Sequence, residues 1–154
     1  MNRDSRLSGV LHVLLHMAEY QEPVTSAALA RVMQTNPVVI RRIMAGLREQ
    51  GYVRSERGHG GGWTIACDLD AVTLHDIYES IGAPSLFAIA NRNDASDCAV
   101  EQAVNAALDA SLGEAEELLL ASLRKVTLAS LSAAFHHRLA RRAPGCARGA
   151  DHAE

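Results

Sequence analysis

Apolar residues near the start of the chain recur at helical spacing: Leu7, Val10, Leu11, Leu14, Leu15 and Ala18 fall at i, i+3, i+4, i+7, i+8 and i+11. That stripe predicts an amphipathic helix, which Gln21-Glu22-Pro23 ends. A second, shorter helix is expected through Ala28, Leu29 and Val32 to about Met33. Thr25 or Ser26 would cap it, because either hydroxyl can accept from the unpaired first-turn N–H groups. A third helix begins at Asn36-Pro37. Asn is a favoured N-cap, and Pro at the first helical position has no N–H to lose and a φ already suited to a helix. Ile40, Ile43, Met44 and Leu47 form its apolar side until Gly51 stops it.

The pattern then shortens. Tyr52-Val53-Arg54-Ser55 and Trp63-Thr64-Ile65-Ala66 read as two strands around the turn-rich Glu56-Arg57-Gly58-His59-Gly60-Gly61-Gly62. Thr73-Leu74-His75-Asp76 has the form of a capping box, with Asp where Glu is usual, and opens a helix to about Ser80 before Gly82-Ala83-Pro84. Ser85 to Asp97 is polar and reads as a loop. From Val100 onward Val104, Ala107, Leu108, Leu112, Ala115, Leu118, Leu119, Leu123 and Val126 predict a long helix, with Gly113 the place for any bend. Its apolar face exceeds what so small a domain needs, and a second copy of the chain would cover it. Thr127 to about Leu139 predicts a last helix, and the stretch from Arg141 to Glu154, rich in Ala, Gly and charge, reads as disordered.

Two helices joined by Gln34-Thr35, the second carrying Arg41 and Arg42, form a helix-turn-helix pattern, and the hairpin behind them is a wing. The expected fold is therefore mainly α (α+β): a winged helix-turn-helix domain with a two-stranded wing, plus a long dimerisation helix. The expected division is 1–82 for the DNA-binding domain, 83–97 for a linker, 98–140 for dimerisation and sensing helices, and 141–154 for the tail. Charge sharpens this picture. Residues 1–66 hold eight arginines against five carboxylates, a net of +3, whereas 67–154 hold seven basic and thirteen acidic residues, a net of −6. The basic half is the half with the helix-turn-helix.

Several other chemistries fall away. His59-Gly60-Gly61-Gly62-Trp63 matches the oxyanion loop of some esterases, but the Gly-x-Ser-x-Gly elbow such enzymes need is absent. Gly-Lys-Ser/Thr is absent too, and Trp63 occupies the last position of a would-be GxGxxG. No enzyme is expected. Cys67, Cys98 and Cys146 are odd in number and widely spaced, so they suggest neither a disulfide framework nor a CxxC metal site. His12, His16 and Glu19 share one side of the first helix and could ligate a metal, but such a pair is more often plain surface, and no metal is assigned. His136 and His137 are adjacent and would point apart on a helix. With no apolar run of about 18 residues and no signal-peptide pattern in MNRDSRLSGV, the expected place is the cytoplasm, away from membranes.

The residues from Thr35-Asn36-Pro37-Val38-Val39-Ile40-Arg41-Arg42-Ile43 through Leu47, Gly51-Tyr52-Val53, Ser55, Arg57-Gly58, Gly60-Gly61-Gly62 and Thr73-Leu74 resemble the Rrf2 family of bacterial winged-helix regulators. The resemblance runs over about residues 5–130. It implies a homodimer on a roughly palindromic double-stranded DNA operator, usually to repress. Some members hold an iron-sulfur cluster on three closely spaced cysteines before the dimerisation helix; here only Cys98 lies in that region, so no cofactor is expected. The resemblance is closer to the cluster-free branch, some of whose members respond to oxidants or electrophiles through such a thiol.

Within this frame Thr35, Asn36, Pro37, Val38, Arg41 and Arg42 are the expected contacts of the recognition helix, with Arg suited to a guanine edge and Val38 to a thymine methyl. Arg57 and His59 would reach phosphates or the minor groove from the wing. Cys98, preceding an apolar helix, would have its thiolate favoured by the helix N-terminus and opposed by Asp97. The expected function is a homodimeric DNA-binding repressor sensing oxidants or electrophiles at Cys98. A repressor of the same fold answering to a small molecule, and a winged-helix interaction module that does not bind DNA, are the alternatives.

Overall fold

The computed structural model describes residues 4–95 and 97–141. Its elements are α1 (Arg6–Glu19), α2 (Ser26–Val32), α3 (Pro37–Glu49), β1 (Val53–Glu56), β2 (Gly62–Ile65), α4 (Leu74–Ser80), α5 (Ala99–Leu123) and α6 (Leu128–Arg141). All six expected helices and both strands are present. Each strand is displaced by one residue, because Gly62 and Glu56 already pair across the hairpin while Tyr52 and Ala66 meet through a single hydrogen bond outside it. Arg141 closes α6 instead of opening a tail, and the rest of the stretch expected to be disordered, with Cys146, lies outside the described residues.

The helix ends follow local chemistry. Thr25 caps α2 by accepting from the Ala28 amide at 3.2 Å, and the Asn36 side chain accepts from the Val38 amide at 2.8 Å with Pro37 at the first helical position. Ser26, the alternative cap, has another task described below. At the start of α4 the Thr73 amide and hydroxyl both donate to the Asp76 carboxylate at 2.7 Å while Thr73 accepts from the Asp76 amide, so Asp serves the capping box as Glu would. Burial opposes the ionised Asp76, but the Thr73 hydrogen bonds with His75 and Arg124 nearby outweigh it and hold the carboxyl below its ordinary range.

Helices α2, α3 and α4 end alike. The residue after each cap, Gln34, Gly51 and Gly82, has positive φ, and the next amide reaches back to a carbonyl five residues earlier: Thr35 to Ala30, Tyr52 to Leu47, Ala83 to Tyr78. Gln34, at φ 52°, takes without glycine the turn that separates α2 from α3.

One core gathers Val10, Val13, Leu14 and Met17 of α1, Leu29 and Ala30 of α2, Ile40, Met44 and Leu47 of α3, Val53, Trp63, Val72 and Ile77. Leu128, the first residue of α6, is 1 % exposed and belongs to it as well. The chain from α5 returns to the domain by a bridge between Thr127 and Thr73, in which Leu74 donates to Val126 and Leu128 donates to Val72, both at 2.9 Å. From there α6 packs along α1. Helix α5 differs from the others: it runs unbroken through Gly113, ends before Val126, and has no buried residue.

Candidate nucleic-acid interface

Helix α3 is built as a two-sided element. Ile40, Met44 and Leu47 point into the core, and at 100° per residue the opposite side carries Val38, Arg42, Ala45 and Glu49 with Arg41 on its flank. Val38 is 56 % exposed, although it is an apolar residue on a well-packed domain. Arg41 and Arg42 are exposed, and among the described residues neither forms a salt bridge. Asn36 spends its side-chain oxygen on the cap and is exposed, and Thr35 is half-buried in the turn. The structure thus collects Asn36, Pro37, Val38, Arg41 and Arg42 on the first two turns of one helix.

The wing is fastened to this helix at its root. Gly51 turns the chain directly from α3 into β1, and β1 packs on α3. Beyond it the register is Val53 with Ile65, Arg54 with Thr64, Ser55 with Trp63 and Glu56 with Gly62. Trp63 holds the wing to the other end of the motif. Its backbone exchanges two hydrogen bonds with Val24 at 2.9 Å, and its indole N–H donates to Ser26 Oγ at 2.9 Å. Neither link was read from the sequence, where Ser26 had a ready explanation as a cap and Val24 stood alone between loops.

At the tip, Gly58 and Gly60 have positive φ, and Arg57 and His59 are exposed. Gly61 and Gly62 are required for a different reason. A Cβ on Gly61 would stand 2.4 Å from the Glu56 carbonyl oxygen, and one on Gly62 would stand 2.6 Å from that of Val24. Two further cations, Arg31 on α2 and Arg54 on β1, are exposed beside these elements, Arg54 donating to Thr64 at 3.2 Å. The charge count of the first half is their sequence signal.

Cys98 lies apart from this surface, as the N-cap of α5. It is exposed, and the nearby amides of Glu101 and Val100 favour its thiolate, drawing the thiol below its usual pKa. Cys67, just past β2, is half-buried, and burial pushes its thiol up. The loop before Cys98 is fastened to α5: Asn91 donates to Asp109 at 2.9 Å, Asn105 donates to the Asn93 carbonyl at 2.8 Å, and Arg92 pairs with Glu101 at 3.3 Å.

A helix-turn-helix with a glycine-rich hairpin wing defines a winged-helix protein of the DNA-binding class. The chain belongs to the Rrf2 family, whose model, described as an iron-dependent transcriptional regulator, matches residues 3–134. YffB of Lactococcus lactis, named as an HTH-type transcriptional regulator, is 27 % identical over 134 residues, covering 79 % of this chain and 81 % of its own. A crystal structure described as a transcriptional regulator from Lactobacillus plantarum is 26 % identical with a TM-score of 0.72, covering 86 % and 91 % of the two chains. IscR of T. potens, at 19 % identity, shares the fold with a TM-score of 0.63 over 94 % of each chain. The family and these relatives are transcription regulators, not enzymes.

The description of the family raises the question of an iron centre. Cys98 is the sole thiol of the loop and α5, and among the described residues no three His, Cys, Asp or Glu side chains are grouped to hold a metal. This donor set does not fit a cluster carried by three neighbouring thiolates. Among the described residues no helix is long and apolar enough to cross a membrane.

The wing geometry makes a prediction. Gly62→Ala forces the hairpin off Val24, and the expected outcome is a loss of about 1–3 kcal/mol in stability, read by urea denaturation, together with weakened DNA binding. An alanine protein as stable as the parent would show that the Val24–Trp63 pairing does not hold the wing.

Proposed function

We propose that this regulator is a homodimeric, sequence-specific repressor that lays α3 in the major groove of an operator, rests its wing on the flanking backbone, and senses oxidants or electrophiles at Cys98. The observation that carries the DNA reading is the outward face of α3: an exposed Val38 beside two arginines with no salt-bridge partner among the described residues, on a helix fixed from behind by the core. Arg41 and Arg42 are placed for base edges or phosphates, Val38 for a thymine methyl, and Asn36 with Pro37 and Thr35 for the phosphate beside the helix start. Arg57 and His59 serve the minor groove or its phosphates. No cofactor is part of this reading, and its compartment is the cytoplasm.

Dimerisation is supported by α5. Val100 is 73 % exposed, Val104 51 % and Leu118 75 %, and they fall along one side of the helix with Ala107 and Ser111 between them. Fully burying one such Val or Leu contributes about 1.5–3 kcal/mol, so a second α5 laid along this side recovers several kcal/mol. The division into a DNA-binding part to about residue 82, a linker to 97 and a dimerising, sensing part beyond it accompanies this reading. Sensing at Cys98 rests on its exposure and favoured thiolate. A peroxide would transfer one oxygen to Sγ, giving sulfenic acid and releasing water or an alcohol, at the junction of loop and dimer helix.

One observation favours a small-molecule effector instead. A groove of about 820 Å³ is lined by Arg6, Leu7, Tyr78, Leu86, Phe87 and Ile89, so it lies between the loop and α1 and α4.

Three outcomes are expected. Against a selected operator, Arg41→Ala costs about 1–3 kcal/mol of binding if it meets a base edge, while Arg57→Ala on phosphate costs less and lowers the salt slope by about one; no DNA binding by the parent at low salt would leave the interaction-module alternative. Leu118→Glu yields monomers in sedimentation and loses the operator, whereas a variant that stays dimeric excludes this face. Hydrogen peroxide weakens the parent on its operator but not Cys98→Ser, and a variant that responds as the parent does would remove the thiol from the mechanism.

A further inference from the structure

On the exposed side of α1, His12 and His16 stand one turn apart with their Nε2 atoms 2.8 Å from each other, the ring centroids 4.7 Å apart and the planes inclined by 39°. Two ring nitrogens at this distance share a proton in a hydrogen bond, a place that a Lewis acid can take instead. We infer that His12 and His16 form a two-imidazole site for a divalent first-row transition metal of the nickel or copper type. The spacing chooses among metals. With metal–nitrogen bonds of about 2.0–2.1 Å, the 2.8 Å chord subtends roughly 84–89° at the metal. That is the angle between neighbouring ligands of a square-planar or octahedral centre, whereas a tetrahedral zinc site would hold the nitrogens about 3.3 Å apart.

Glu19 lies one turn beyond His16 on the same helix. The Glu19 carboxylate is itself held at 2.9 Å by His136 of α6, a contact that joins the two helices. No third side chain completes the site among the described residues, so the protein supplies two cis ligands and water the others. The site stands on α1, which packs on β2, α4 and α6, and is separate from the residues assigned to DNA and from Cys98.

Ni²⁺ is the appropriate probe, because Cu²⁺ would oxidise the thiols. Calorimetric titration of the full chain with nickel chloride at neutral pH is expected to show one ion per chain. Affinity should fall by about tenfold or more in His12→Gln and in His16→Gln, and stay unchanged in His136→Gln and Cys98→Ser. The same ion raises the melting temperature of the parent, because it binds the helical pair and not the unfolded chain, and leaves those of His12→Gln and His16→Gln where they were. Paramagnetic broadening of the His12 and His16 ring protons in the unaltered protein checks the site without any substitution. Binding that survives either glutamine change, binding that follows Cys98, or the absence of both heat and broadening overturns the proposal.

Discussion

The surface proposed to face DNA depends on how Trp63 is held. Its ring closes one edge of the core, its backbone exchanges two hydrogen bonds with Val24, and its indole N–H is satisfied by Ser26. Each tie is demanding. A buried indole N–H with no acceptor costs about 1–3 kcal/mol, and the Val24 backbone comes so close that residue 62 can have no Cβ. Because the ties reach back across α2 and α3, the wing, the start of α2 and the segment after α1 form one body. The five residues Arg57 to Gly61 stand beyond the last strand pair, and the glycine-rich composition there serves a tip that bends sharply above a fixed base.

Helix α5 is under the opposite constraint, with attachments at both ends and little along its length. The loop contacts at Glu101, Asn105 and Asp109 fasten its first half, and the Thr73–Thr127 bridge fastens the segment just past its last turn. Arg124 adds a contact of 3.0 Å to His75 of α4. Between these points a row of apolar side chains stays in water. A helix of 25 residues is not kept apolar for nothing when its own domain fully buries none of its side chains, which is why its length supports the dimer reading more strongly than its sequence period does.

Most of the fold was legible because its signals are local. Asn36-Pro37, the Thr73–Asp76 box and Gly51 fix helix ends through bonds within a few residues, so spacing alone reveals them. The candidate recognition face was equally readable, since the core positions Ile40, Met44 and Leu47 determine which residues point away. What escaped was long-range. Val24 pairs with Trp63 across 39 positions and Leu128 joins a core whose other members end at Ile77, and no periodicity records either. Position 26 shows how a sufficient local explanation hides a distant one: a serine beside a helix start reads as a cap, while its hydroxyl serves a tryptophan far along the chain.

These distant contacts also decide which element stands between α5 and α3. The loop from α4 to α5 starts under the Tyr78 hydroxyl, which donates to the Pro84 carbonyl at 2.9 Å, and its later half is fastened to α5 itself. The return from α5 meets Leu74 through the Val126 carbonyl. Both routes touch α4, one at each end of a helix of only seven residues, while Leu128 also enters the core directly. On its other side α4 approaches α3 closely, with the Ser80 carbonyl 3.1 Å from where a Cβ on Gly46 would stand. A close-packed contact of this kind transmits displacement instead of absorbing it. One path from α5 to the middle of α3 therefore runs through α4 and ends one to two turns from Arg41 and Arg42, and the glycine at position 46 is what lets the two helices stand so near.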